Sequence, residues 1–523
     1  MIKENKYIAS NWIFYGIILL LLWPLFNLTF LFTHDGPAHV YNACLIRRVL
    51  SGNVLTNDFI NLKIFPEPNW TGHFLISFFS TFLNPNVAEK LFLGLYIILF
   101  PVFFRRLLIK INKYNSFVAL LVLPFIYSYF FFGGLYNFLA GVTALFAGLS
   151  IILPLYERNE KTKFSWILGF SLLLYFSHLL AFGVFIILIV LAHVFVYIEN
   201  KEKKNIKTFI DSFLPYFLVL IPSLLLSTVY FSNKLFAPSV TSSVSFIQMM
   251  EFLVYISSII TFQYSPENIY ALVIFCFLLI LFITSIFRSV RASAVSNLNS
   301  KPFYQKQSYW ALATGLMLLL FFIIPDQAAT GGVIKFRFEL FFFLFLIVWI
   351  STLPVADWLK TFTPIIIAGW MALKFTYFFP IMKTLDNDAK QAMKITSLMK
   401  ENSILLPLNY STNWMHSNLF NYTGTVKNIL VLDNYEAGMP HFPLEWKKGK
   451  NPVSILGSFN GEVPLCADVN KFEKVTNYKI NYIVTWNYNP LSDSCSLLIK
   501  ETLDSNYTLI LNDNDNLKLY SRK

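Results

Sequence analysis

Residues 12–32 read WIFYGIILLLLWPLFNLTFLF, and the next seven, THDGPAH at 33–39, break that run with two histidines and a carboxylate. A helix of this length rises about 31 Å, enough to cross a hydrocarbon core. Backbone groups in lipid can be satisfied only internally, so the run must be helical. It reads as a retained first span and not a cleavable signal, because it is long and no small-residue cleavage site precedes His34.

The same pattern recurs along the chain. Of 523 residues, 56% are hydrophobic and 13% charged, against roughly 25% charged in a soluble globular protein. A net charge of +12 would suit nucleic acid, but the cations stand in short clusters between apolar runs, which is a topology signal. The clusters are Lys3 and Lys6; Arg105, Arg106, Lys110 and Lys113; Arg158, Lys161 and Lys163; Lys201, Lys203, Lys204 and Lys207; Arg288, Arg291, Lys301 and Lys306. Membrane lipids are therefore the expected partner, and nucleic acid is not.

Placing these clusters in the cytoplasm gives about eleven spans: 12–32, 88–104, 115–132, 134–155, 164–180, 181–198, 208–230, 268–287, 308–324, 338–354 and 361–380. The N-terminus is then cytoplasmic and the C-terminus extracytoplasmic. Trp70 to Leu83 and Phe246 to Phe262 do not fit that count and read as interfacial or re-entrant helices.

The fold class expected is mainly α, a polytopic transmembrane bundle over 1–380 followed by a small extracytoplasmic α/β domain over 381–523. In the second part Lys390 to Lys400 reads as helix, Ile404 to Leu408, Ile429 to Leu432 and Ile480 to Trp486 as strands, and Tyr507 to Tyr520 as a hairpin turning at Asn512-Asp513-Asn514-Asp515. Cys466 and Cys495 fall there, where an oxidising compartment would join them; two unpaired thiols is the alternative.

The first outer loop, 33–87, is the richest in candidate chemistry. From Gly36 to Leu50 it reads as an amphipathic helix lying on the membrane surface and stopped by Ser51-Gly52-Asn53, followed by a Pro-rich connection, Phe65 to Asn69. Asp35, just beyond the first span, is either the N-cap of that helix or a general base on an acceptor hydroxyl, tuned by His34 and His39. No second carboxylate stands beside Asp35, so no metal site is assigned; a divalent cation gathered by His34, Asp35 and His39 is the alternative.

Arg47, Arg48, Lys335 and Arg337 are cations near the outer interface suited to phosphate, with snorkelling, or pairing of the last two with Asp326 and Glu339, as the structural readings. His178, at an outer turn, lines a polar cavity or caps the turn. Asp433 to Pro443, rich in Gly and Pro, reads as a surface connection, and otherwise as a cover over a membrane-embedded site.

An acidic residue in the first outer loop (Asp35), a helix behind it ending in Leu50-Ser51-Gly52, the opening Ala88-Glu89-Lys90-Leu91-Phe92, a late outer Arg337 and an extracytoplasmic C-terminal domain together resemble the C-type (GT-C) glycosyltransferases. That superfamily includes protein mannosyltransferases and aminoarabinose transferases. The resemblance implies a polyprenyl-phosphate-linked sugar as donor and a glycolipid or cell-envelope glycan as acceptor. It makes Asp35 the base and Arg337, with Lys335, the holders of the carrier phosphate, in a bacterial inner membrane. Protein mannosyltransferases carry an Asp-Glu pair in the first loop, whereas Gly36 follows Asp35 here. Competing readings are a polysaccharide polymerase or ligase, a transporter or flippase, and a scaffold of envelope assembly.

Overall fold

The computed structural model describes residues 2–63, 67–199, 205–234, 244–262, 264–293, 302–327, 332–459, 465–488, 494–514 and 516–523. Phe65 and Pro66 of the Pro-rich connection, Lys201, Lys203, Lys204 and Lys301 of the basic clusters, and Asp515 of the expected turn lie outside them. The chain forms two compact units. The first comprises residues 1–23, 94–132 and 136–378, and the second 24–93, 133–135 and 379–523.

The first unit is helical. Its elements include Tyr136–Glu157, Thr162–Ser177, Leu179–Glu199, Ile206–Lys234, Tyr264–Ser293, Gln307–Ile323 and Ile334–Thr352. Among the described residues of the whole chain, six helical stretches are long and apolar enough to cross a membrane, and Asn11–Asn27 and Gln307–Ile323 are shorter apolar helices. The expected span 115–132 is not one α-helix. Lys113–Phe125 is a 13-residue 3-10 run, buried from Asn115 onward, which rises about 26 Å at 3-10 spacing. Asn115 helps hold it there, its amide donating to the carbonyls of Ser351 and Leu353.

Phe246–Val254 has nine residues and opens on a capping box of Ser245 and Gln248. At about 14 Å this helix is too short to cross a bilayer by itself.

The second unit is built on a five-stranded mixed sheet. Its strands, with a separate two-stranded ladder, are β1 (Ile60–Leu62), β2 (Ser403–Asn409), β3 (Ile429–Val431), β4 (Leu444–Trp446), β5 (Tyr482–Trp486), β6 (Tyr507–Asp513) and β7 (Leu517–Arg522). The large sheet runs β3-β2-β5-β7-β6. β2 lies parallel to β3 and β5, and the β6–β7 hairpin adds antiparallel to β5.

All seven residues of β2 are buried, as a central parallel strand demands. Pro407 interrupts it without breaking a ladder. The Leu405 carbonyl faces the β3 side, where it accepts from Leu432 N, so Pro407 presents its missing N–H to the same side. There β3, paired only with Ser403 to Leu405, has already ended.

The Gly36–Leu50 helix is not a surface helix. Every residue from Gly36 to Ile46 is buried: Val40, Tyr41, Cys44 and Leu45 cover an apolar side, and His39 and Asn42 find their polar partners inside the protein. Each fully buried aliphatic contributes about 1.5–3 kcal/mol. Pro37 stands in the first turn, where its lost N–H costs nothing, and Gly52 at φ +78° ends the element. The helix packs on the Thr71–Phe79 helix, the 3-10 segment Trp414–Tyr422 and the short helix Thr423–Val426. Gly424 lies against the Tyr41 ring so closely that a Cβ would overlap it.

Two further ties bind the first loop to the C-terminal residues. β1 pairs antiparallel with β4, Ile60 opposite Trp446. Arg48 donates to the carbonyls of Gly424, Lys427 and Ile429. The first loop thus belongs to the same compact unit as residues 379–523. Cys466 and Cys495 are joined as a disulfide, and Cys44 is a buried free thiol.

Candidate functional site

Asp35 occupies the N-cap position of the Gly36–Leu50 helix but makes no capping bond. Its carboxylate turns elsewhere. Asn418 Nδ2 donates to Oδ1 at 3.1 Å, His34 Nε2 lies 3.5 Å from the same oxygen, and the Tyr435 side chain hydrogen-bonds to the carboxylate. His34 is itself steered by the Trp414 carbonyl, 2.7 Å from Nδ1, with its ring against the Trp414 indole. Gly133 and Gly134 complete the seat, the Gly133 carbonyl accepting from Asp35 N. The Asp35 side chain remains 17% exposed. Burial raises its pKa above the ordinary carboxylate value, opposed by His34 and His39 and reinforced by Glu436.

One turn along the helix, His39 enters a fully buried cluster. Its Nε2 contacts the Gly134 carbonyl at 2.7 Å, and its Nδ1 faces His73 Nε2 at 3.2 Å and Glu436 Oε1 at 2.6 Å. His73 Nε2 is 2.7 Å from Glu436 Oε2, and its Nδ1 is 3.2 Å from the Asn69 carbonyl. Asn42 shares its amide hydrogens among Glu436 Oε2, Asn434 Oδ1 and the Ala38 carbonyl, while Asn434 Nδ2 returns a bond to Asn42.

Burial would push Glu436 upward, but the two histidines overcome it and hold the carboxyl down at about 2. For His39 burial opposes charge, and the charge and hydrogen bond of Glu436 outweigh it, so its pKa is raised. His39, His73 and Glu436 form the one group of three metal-ligating side chains within mutual reach among the described residues.

The other expected site residues have structural employment or lie in the first unit. Arg47 donates to the Ser80 carbonyl and Arg48 to the three carbonyls named above, so both guanidinium groups are engaged by backbone. In the first unit, His178 follows the Thr162–Ser177 helix and its Nδ1 accepts from Leu180 N. His178 and Arg337 both pack on the Phe138 ring, at 5.1 and 5.4 Å.

Arg337 is buried, and its Nε has no hydrogen-bond partner among the described residues. The pairing expected with Asp326 and Glu339 is not seen among the described residues. Asp326 accepts from the Lys335 backbone N–H, and Glu339 from Ser258 N. The Lys335 ammonium donates to the Phe321 and Phe322 carbonyls.

The sequence reading missed His73 and Glu436, and it placed Asn434, Tyr435 and Glu436 in a surface connection. Asn434 and Glu436 are buried, and Tyr435 partly so, because β1–β4 pairing and Asn42 draw that segment onto the Gly36–Leu50 helix. The available signal was the run Asp433-Asn434-Tyr435-Glu436 directly after a strand, dense in groups that need partners once enclosed.

No protein-family model and no curated protein matches this chain. Among solved structures it is similar to ArnT from Cupriavidus metallidurans in the apo state, with 11% identity, 98% of each chain covered and a TM-score of 0.40. It is also similar to the same protein bound to undecaprenyl phosphate, with 10% identity, 98% of each chain covered and a TM-score of 0.38.

Proposed function

We propose that this protein is a membrane glycosyltransferase that moves a sugar from a polyprenyl-phosphate carrier onto a hydroxyl acceptor at the extracytoplasmic face. The observation that carries the reading is the state of Asp35. It is a carboxylate freed from capping, made more basic by burial, held by Asn418, His34 and Tyr435, and still partly open to a substrate. A residue kept only to start a helix would bond to the backbone N–H groups of the first turn.

In the reaction, Asp35 takes the proton of the acceptor hydroxyl as its oxygen forms a bond to the anomeric carbon. The bond from that carbon to the phosphate oxygen breaks, and its electron pair leaves with the lipid phosphate. Arg337, whose buried Nε has no hydrogen-bond partner among the described residues, is assigned to the phosphate by the GT-C resemblance. The disulfide between Cys466 and Cys495 supports an oxidising, extracytoplasmic side for the C-terminal residues.

The test replaces Asp35→Asn and Arg337→Ala in the native host and compares membrane glycolipids and surface glycans with wild type. Both variants should reach the membrane and lose the product. An unchanged glycan profile with both variants in the membrane refutes the assignment and leaves a transporter or scaffold. A reporter fused after Lys523 should be active outside the cytoplasm.

A further inference from the structure

The geometry points to a divalent-cation site of the zinc class formed by His39 Nδ1, His73 Nε2 and the Glu436 carboxylate. It differs from the set His34, Asp35 and His39 suggested by proximity in sequence, and it does not depend on the transferase reading.

The argument begins with where the ring protons must be. His39 Nε2 faces the Gly134 carbonyl and His73 Nδ1 faces the Asn69 carbonyl. A carbonyl accepts only, so each of these nitrogens carries the hydrogen. In neutral rings the opposite nitrogens are then lone pairs, and they point at each other across 3.2 Å and at Glu436 across 2.6 and 2.7 Å. Two lone pairs and a carboxylate converging in a buried space require positive charge between them.

Two additional protons would supply it, but they would set two imidazolium rings side by side at 3.2 Å. A single divalent cation satisfies all three groups at once. Both Glu436 oxygens are turned to the ring nitrogens, Oε1 to His39 Nδ1 and Oε2 to His73 Nε2, as a carboxylate bridging toward one ion would be. The surrounding contacts match those of a built ligand set. Each histidine is oriented by a backbone carbonyl through its other nitrogen, and the carboxylate is held by Asn42.

Two imidazoles and one carboxylate are borderline to hard donors, and three protein ligands leave a fourth position for water. Zinc–ligand bonds of about 2.0–2.1 Å put neighbouring donors roughly 3.3 Å apart. The two ring nitrogens already stand near that separation at 3.2 Å, and the Glu436 oxygens, now 2.6 and 2.7 Å from them, would move outward by about 0.6–0.7 Å to match. The ion would join the Gly36–Leu50 helix, the Thr71–Phe79 helix and the Glu436 turn, segments separated by 34 and 363 residues in sequence, next to the seat of Asp35.

Full-length protein in detergent is stripped with a chelator, passed through gel filtration, and given zinc alone, with bound metal measured by mass spectrometry. Wild type should retain one ion per chain and gain thermal stability. His73→Ala and Glu436→Gln should lose the ion, and His441→Ala, outside the cluster, should keep it. Cobalt-loaded wild type should show the visible bands of a four-coordinate nitrogen and oxygen site, bleached by zinc. Folded wild type that retains no zinc and shows no cobalt bands overturns the site in favour of a purely protonated cluster, whether or not the variants fold.

Discussion

Gly134 rests directly on Asp35: a Cβ built on Gly134 would lie 2.7 Å from the Asp35 backbone nitrogen and 2.9 Å from its Cα and Cβ, and the glycine sits at φ +76°. Both facts require glycine, one because L side chains rarely adopt that backbone and one because there is no room. Gly134→Ala should therefore push Asp35 from Asn418 and disturb the His39 contact with the Gly134 carbonyl. We expect a stability loss of roughly 1–3 kcal/mol and a glycan phenotype as severe as that of Asp35→Asn, in protein that still reaches the membrane. A fully active Gly134→Ala variant would contradict this packing.

The Tyr41 hydroxyl does the work of a missing neighbour strand. It donates to the Ile429 carbonyl at 3.0 Å and accepts from Val431 N at 2.9 Å, on the outer edge of β3. Tyr41→Phe leaves the buried Val431 N–H unsatisfied, while the Ile429 carbonyl keeps Arg48 as a donor, and should cost roughly 1–3 kcal/mol. Thermal unfolding in detergent measures it. Tyr114→Phe, at a residue 80% exposed, should leave the transition unmoved.

These contacts show which parts of the molecule the sequence could reveal. Long apolar runs and the strands at 404–408, 429–432 and 480–486 announce themselves locally, since burial on both faces of β2 or β5 leaves an uninterrupted apolar run. Asp35 was legible for the same local reason, a carboxylate at the end of a span. The partners of His39 were not. Glu436 reaches it through β1–β4, two three-residue strands with no periodicity to read, and His73 through the packing of the Thr71–Phe79 helix on the Gly36–Leu50 helix; neither residue type declares such a partner. The Gly36–Leu50 helix misled for a related reason: Arg47 and Arg48 look like a solvated face until Arg48 is seen serving three carbonyls.

The disulfide gives a test of both compartment and stability. Cys466 and Cys495 are 29 residues apart, and closing such a loop stabilises by about 3–4 kcal/mol in the chain-entropy treatment. Cys466→Ser with Cys495→Ser should lower the unfolding midpoint, and reductant should lower wild type to the same value without moving the double variant. Protein from the native host should resist alkylation at both positions until reduced; ready labelling of both thiols would place the C-terminal residues on a reducing side.

A last expectation concerns Asp433, buried beside Asn421, whose Nδ2 donates to its Oδ1 at 3.0 Å. Burial raises its pKa from 3.8 to about 7, only partly countered by that hydrogen bond. In the unfolded chain the carboxyl ionises near 4, whereas the folded protein keeps the proton until about pH 7. Between those values the folded state binds more protons, so this residue's contribution is full below about pH 4 and is lost progressively as pH rises to about 7. The loss should amount to roughly 2–4 kcal/mol. Asp433→Asn keeps the shape and removes the titration, so the difference in unfolding midpoint between variant and wild type should widen from pH 4 to pH 7 and then level. Parallel curves across that range would show that Asp433 is ionised in the folded protein throughout.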